Sequence, residues 1–314
     1  MAHFDRVHWT VVPDAATAAA ALRRGEVDWW EQPLPDLLPM LRADPAVQVQ
    51  LVEVTGNVGL LRFNQLHPPF NDSRVRRAVL QAMRQADFMA VVAGADRVAD
   101  RNAGREAWRD RVGFFAPGTP AASEAGLDAL DEPHDASAAR AAVRAALASA
   151  GPGAARTVLL APGDYPRILA LCEVAADLLR RCGLEVDMQV MDGGTMGARR
   201  ASRAPVDKGG WSAFITAFAG VDMASPASHL ALRGTGDAAW FGWPVAPELE
   251  RLRDDWLAAE DEEQQHALAA AIQTQAFVDV PFLPLGQFFQ SSAHRRSLAG
   301  VLEGMPLFWN VRRG

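Results

Sequence analysis

Apolar and polar positions fall into a helical period along much of the chain, interrupted by short extended runs. Pro13-Asp14 opens an alanine-rich segment that predicts a helix through Arg24, with Asp14 capping the first amides and Gly25 in the left-handed position that ends it. Val27 to Trp30 is a short apolar stretch, and Pro33, Pro35 and Pro39 then punctuate a loop or broken helix. Val47, Val49 and Leu51 alternate with polar neighbours as a half-buried strand, and a second extended run spans Val58 to Phe63. After Pro68-Pro69, Ser73 starts a helix expected to reach Gly94: Val75, Val79, Ala82, Met83 and Ala86 form one apolar stripe, while Arg74, Arg77, Gln81 and Arg84 face away. From Ala95 to Pro133 the chain reads as a long ordered loop containing Phe114-Phe115, of the kind that is functional or packed by its own side chains.

The next stretch repeats a unit. Helix (Asp135 to Ala150), strand (Thr157 to Ala161), helix (Pro166 to Arg181) and strand (Leu184 to Val190) follow one another through short joints, which implies an α/β layer with parallel neighbours. An aromatic, Gly- and Pro-rich region from Trp211 to Trp243 precedes two helices, at about Pro247 to Ala259 and Glu262 to Asp279. Phe282 to Phe289 is a last apolar strand, and Leu298 to Arg313 a tail carrying Phe308-Trp309-Asn310.

Composition narrows the classes. With 314 residues, 49% hydrophobic and 22% charged, the chain is a folded globular protein of two domains or one large one. A net charge of −7 disfavours a phosphate backbone, so nucleic acid is not an expected partner. Lys208 is the sole lysine, an arginine bias that reads as genome composition. Charged residues interrupt every apolar run, and Met1 to Arg6 has no basic-then-apolar leader. Cys172 and Cys182 flank one helix at roughly 15 Å, beyond the ~7 Å reach of a disulfide; Cys172 is expected to be a buried structural thiol.

Catalytic and cofactor motifs are missing. The seven histidines are scattered without metal-ligand spacing, no nucleophile elbow or Walker loop occurs, and Gly151-Pro152-Gly153 lacks the rest of a dinucleotide fingerprint. Neither a metal nor a cofactor is expected. Asp261, Glu262 and Glu263 suit a solvated helix start. Between Trp211 and Trp243 lie Phe214, Phe218, Asp222, His229, Trp240 and Phe241, flat apolar faces with a carboxylate. Two readings stay open for them: a pocket for an organic cation or amine, or an aromatic core under loops.

Gly25-Glu26-Val27-Asp28, the run Phe63-Asn64-Gln65-Leu66-His67-Pro68-Pro69-Phe70-Asn71-Asp72-Ser73-Arg74-Val75-Arg76-Arg77-Ala78, then "GGWSAFITAFAGVDMASPASHL", "WFGWP", "VPFLPLGQFFQ" and "FWNV" follow in order along the chain. In that order they resemble the family 5 extracellular solute-binding proteins of ABC importers, the dipeptide, oligopeptide and nickel-binding group. The resemblance implies an α/β fold of the periplasmic-binding-protein type, class II-like and of the peptide-binding cluster. It implies one nearly complete C-terminal lobe (65–280) and a partial first lobe (1–64 with 281–314), joined by two hinge strands near Val58 to Asn64 and Val280 to Phe289.

By the same resemblance the protein captures a short peptide or related amphipathic amine between lobes and delivers it to ABC permease subunits in the membrane. It would do so as a periplasmic or membrane-anchored extracytoplasmic monomer without catalysis. Asp222 matches the position of a carboxylate that pairs with a ligand ammonium, though its spacing to Pro226 is altered. Phe218, Trp211, Trp240, Phe241, Trp243 and Asn64 complete the expected site. Relatives carry a signal and further strands before anything like Phe4 to Val7, so the chain is expected to begin inside a lobe, with strand edges exposed. An α/β hydrolase-like enzyme and a truncated fragment without ligand binding remain alternatives.

Overall fold

A computed structural model describes residues 2–93, 107–131, 133–304 and 307–314. In chain order the regular elements are α1 (Ala15–Arg24), β1 (Trp29–Trp30), α2 (Leu38–Ala43), β2 (Val47–Leu51), β3 (Asn57–Phe63), α3 (Ser73–Ala82), α4 (Gln85–Ala93) and β4 (Trp108–Arg109). They continue with α5 (Ala136–Leu147), β5 (Arg156–Pro162), α6 (Pro166–Arg181), β6 (Glu185–Met191), α7 (Gly193–Arg199), β7 (Ala213–Ala219), α8 (Pro247–Ala258), α9 (Glu262–Asp279), β8 (Phe282–Phe288), β9 (Ser291–Arg295), β10 (Leu298–Ala299) and β11 (Arg312–Arg313). The chain divides into two compact units, one of residues 1–56, 93–107 and 288–314, the other of 57–92 and 108–287.

In the first unit, β9 lies between β1 and β2 in an antiparallel sheet, with Trp29 opposite His294 and Val49 opposite Ala293. Ala19 and Leu22 of α1 pack with Leu41, Val47 and Ala293 as its core. The start of α1 is as expected: Asp14 accepts the Thr17 amide at 2.7 Å, and Gly25 closes the helix at φ 76°. The final segment is a paired structure where a plain tail is expected from sequence. Leu298 and Ala299 bond to Arg313 and Arg312, and the Phe308 ring meets Trp29 edge-on at 5.3 Å between centroids.

The second unit is built on a six-stranded mixed sheet in the order β4-β8-β3-β7-β5-β6. The pair β5 and β6 is parallel along its whole length, as the helix-strand repeat implies, and β7 joins β5 in parallel at Leu159 and Leu160. β3 runs antiparallel to β7 from Asn57 opposite Ala219 to Phe63 opposite Ala213. Directly opposed residues share a face. Val58, Leu60 and Arg62 therefore stand beside Phe218, Thr216 and Phe214 on one side, and Gly59 and Leu61 beside Ala217 and Ile215 on the other.

Helix α6 covers that second side. Its buried stripe of Leu171, Cys172, Ala175, Ala176, Leu178 and Leu179 follows the helical period, and a Cβ on Gly59 would already touch Leu171 and Leu285. Each leucine so buried contributes about 1.5–3 kcal/mol.

The helix expected from Ser73 to Gly94 is in fact two. Met83 is extended (φ −79°, ψ 134°), and the next helix starts at Gln85. The reason lies far along the chain. The buried Gln85 amide donates to the carbonyls of Val112 (2.8 Å) and Pro284 (2.7 Å) and accepts the Val112 amide, which fixes the turn although the apolar stripe runs straight through it. Of the long loop expected at 95–133, residues 94–106 and Glu132 lie outside the described residues. The remainder packs on other elements where packing by its own side chains is expected: Phe114 meets Phe277 and Phe282, Phe115 meets His229, and the short strand Trp108–Arg109 lies beside β8.

Cys172 and Cys182 are both unpaired and buried, and burial pushes their thiols up to about 12 and about 11. Neither forms an appreciable thiolate near neutral pH. A disulfide-exchange reagent should therefore label neither cysteine in the folded protein and both in denaturant; rapid labelling of the native chain at pH 7.5 would contradict this burial.

Candidate functional site

The aromatic segment expected from sequence comes together on the β3/β7 face that carries Arg62. Trp211, Phe214 and Trp243 are buried with Val158, Leu160 and Met196, and Trp240 and Phe241 pack against them half-buried. Trp240 meets Phe214 (5.5 Å) and Phe218 (5.4 Å) edge-on and Phe241 at 5.7 Å. Trp211 is enclosed entirely, donating its indole N–H to the Ser202 carbonyl at 3.0 Å, and Trp243 is 7% exposed. The rings thus divide into a core set, Trp211, Phe214 and Trp243, and a surface set, Phe218, Trp240 and Phe241.

Asn64, just past β3, and Gly242, within the "WFGWP" loop, fix the backbone around the rings. Asn64 is 1% exposed: its amide donates to the Trp211 carbonyl (2.9 Å), its side-chain oxygen accepts the Leu66 amide (3.1 Å), and its backbone N–H donates to the Ser212 carbonyl (2.8 Å). It ties the end of β3 to Trp211, Ser212 and Leu66. Gly242 adopts φ 99°, and a Cβ there would stand 2.2 Å from the Phe63 carbonyl oxygen, so only glycine admits this approach. Its own carbonyl takes the Gln65 amide at 2.9 Å.

Arg62 is fully buried and has no carboxylate partner among the described residues. It donates instead to backbone carbonyls: Phe241 from Nε (2.6 Å), Trp240 from Nη2 (3.2 Å), and Ala231 (2.7 Å) and Pro281 (3.2 Å) from Nη1. Burial, joined by the like charge of Arg76, pushes its pKa down to about 9, so it remains a cation at neutral pH. Arg76 repeats the device on the carbonyls of Phe70, Asp279 and Val280, the last two at the negative end of α9. Sequence reasoning missed both as anchors, although Arg62 interrupts an otherwise apolar strand, which was the available signal.

Asp222 sits in the helical turn Gly220–Met223 that follows β7, exposed, with its carboxylate making no hydrogen bond or ion pair among the described residues. The turn beneath it is fixed by Ser228, whose hydroxyl donates to the Asp222 carbonyl (3.3 Å), and by Arg253, which donates to the Pro226 carbonyl (2.9 Å). His229 is 1% exposed and lies 2.7 Å from the Phe114 carbonyl through Nε2. Burial pushes its pKa down to about 4, so the ring is neutral and Nε2–H donates. No group of three His, Cys, Asp or Glu among the described residues could hold a metal ion.

Arg62→Ala leaves buried carbonyls without donors and should destabilise the protein by about 3–5 kcal/mol in denaturant titration; a loss under 1 kcal/mol would remove its anchoring role. The lowered His229 pKa means the unfolded chain binds the extra proton between its ordinary value and about 4, so stability is present above that window and lost as pH falls through it. The unfolding free energy should drop by about 2–3 kcal/mol more in the wild type than in His229→Gln between pH 7 and pH 4.5. Equal drops would show that His229 titrates normally.

Comparison with known proteins agrees with this architecture. Residues 1–240 match the family described as bacterial extracellular solute-binding proteins, family 5 Middle. A probable peptide ABC transporter periplasmic-binding protein, y4tO of Sinorhizobium fredii, is 30% identical over 99% of this chain, which spans 57% of that relative. The periplasmic binding protein DppA of Helicobacter pylori, solved in complex with the peptide STSA, matches 96% of the chain with a TM-score of 0.74 at 18% identity, over 56% of its own length. AgaA of A. tumefaciens R10, solved with agropinic acid, matches 96% of the chain with a TM-score of 0.75 at 16% identity, over 59% of its length. The fold is that of the periplasmic peptide-binding proteins, and the chain belongs to the family 5 bacterial extracellular solute-binding proteins.

Proposed function

We propose that the chain is the ligand-binding part of an extracytoplasmic solute-binding protein that delivers short peptides to an ABC permease. The observation that carries this reading is the exposed carboxylate of Asp222, unpaired among the described residues and set on a braced turn one step beyond β7 and its half-exposed Phe218. Such a group suits a ligand ammonium, and the surface rings Phe218, Trp240 and Phe241 suit apolar side chains. Trp211, Trp243 and Asn64 support these rings from behind.

On this reading β3 and β8 are the hinge strands, since the chain passes from one compact unit to the other at Gly56–Asn57 and at Gln287–Phe288. Binding without chemistry fits the groups present: His229 is neutral and committed to a carbonyl, and both thiols are buried and protonated. Neither supplies the nucleophile and base that hydrolysis needs. The permease subunits and the monomeric state belong to the same proposal.

Calorimetric titration with a pool of di- and tripeptides tests it. Asp222→Asn should weaken binding by roughly ten- to a hundredfold, the worth of a hydrogen bond to a charged group, and should leave N-acetylated peptides unaffected. Unchanged affinity for peptides with a free amino terminus would remove Asp222 from the site.

A further inference from the structure

Arg200 caps the C-terminal end of α7, and its guanidinium lies over three rings of the aromatic face: Phe241 at 4.8 Å, Phe214 at 5.7 Å and Trp240 at 5.8 Å from the centroids. The side chain is half-buried, and its Nε is shut off from solvent without a hydrogen-bond partner. Other arginines around the face are committed: Arg62 to carbonyls, Arg203 to Asp237 while stacked on Trp243 at 4.8 Å, and Arg233 to Glu250. No carboxylate among the described residues reaches Arg200. Burial lowers its pKa, with no neighbouring charge to offset the loss of water.

Two consequences follow from these contacts. Guanidinium groups of the protein itself already lie over these rings, Arg62 at 5.3 Å and Arg200 at 5.8 Å from the Trp240 centroid and Arg200 at 4.8 Å from that of Phe241. A cationic ligand stacking there would meet like charge. An anion would meet the opposite: a cation short of water, with an unmade donor and a planar fork matched to two coplanar oxygens.

We infer that Arg200 is the receptor for a carboxylate of the ligand, bound over the Trp240–Phe241 rings. The inference rests on reading this face as part of a ligand site. No hydrogen bond among the described residues holds the guanidinium, and a ligand carboxylate meeting its Nε–H and one Nη–H edge would give the orphan donor its partner. An amine, if the ligand has one, is then held at Asp222 and not on the rings. This narrows the ligand class to organic acids, zwitterionic peptides included, and excludes purely cationic amines.

The test uses two matched pairs of probes against the wild type and Arg200→Met, which keeps the apolar stem: the dipeptide Ala-Phe with its C-terminal amide, and 3-phenylpropionate with its amide. Binding is followed by calorimetry and tryptophan fluorescence. The acid of at least one pair should bind about tenfold or more tighter than its amide in the wild type, and Arg200→Met should erase that advantage without weakening the amide. Arg200→Lys should restore part of it, since charge returns without the fork. If phenylpropionate behaves so and neither dipeptide binds, the carboxylate receptor stands and the peptide reading falls. If Ala-Phe and its amide bind alike, in the wild type and in Arg200→Met, peptide binding stands and Arg200 is not the receptor. If no acid outbinds its amide in either pair, the inference is overturned.

Discussion

A guanidinium in the middle of a sheet governs the rest of the second unit. Arg62 stands on β3 where a leucine would be ordinary, and a desolvated charge there is tolerated only because carbonyls converge on it. Those carbonyls come from the turn at Ala231, from the loop carrying Trp240 and Phe241, and from Pro281 at the entry to β8. One side chain thereby sets the height of the aromatic loop above the sheet and ties it to the strand that returns the chain. Gly242 then fixes the direction of that loop by letting backbone touch backbone, with its carbonyl taking the Gln65 amide.

Much of this was readable from residue order. The capped helix at Asp14, the parallel pair β5 and β6, the stripe of α6 and the burial of Cys172 follow from local period, caps and side-chain size. The break at Met83 was not readable, because its cause is Gln85 bonding to Val112 and Pro284, and hydrogen bonds to distant backbone leave no pattern in sequence. The same blindness hid Arg62 and Arg76 as anchors, since their acceptors are carbonyls that every residue carries.

The aromatic segment was found for the right composition, yet composition does not sort rings into core and surface. Trp211 and Trp243 are enclosed in one cluster with Val158, Leu160, Met196 and Phe214, and Trp240 and Phe241 keep partial exposure on the same loop as Trp243. Asp222 was an expectation from resemblance, and its braced turn is what gives an exposed carboxylate a defined place. Arg200 carried no such signal: its contacts are ring faces, and its Nε meets no partner among the described residues.

The clamp at Arg62 has a consequence for the conditions under which the aromatic face keeps its form. Ion pairs at a surface weaken when salt rises or when acid protonates the carboxylate. A guanidinium held by peptide carbonyls in a dry interior has no counter-charge to screen and no acid to titrate on the acceptor side. The hold of Arg62 on the aromatic loop is thus set neither by ionic strength nor by the protonation of an acidic partner.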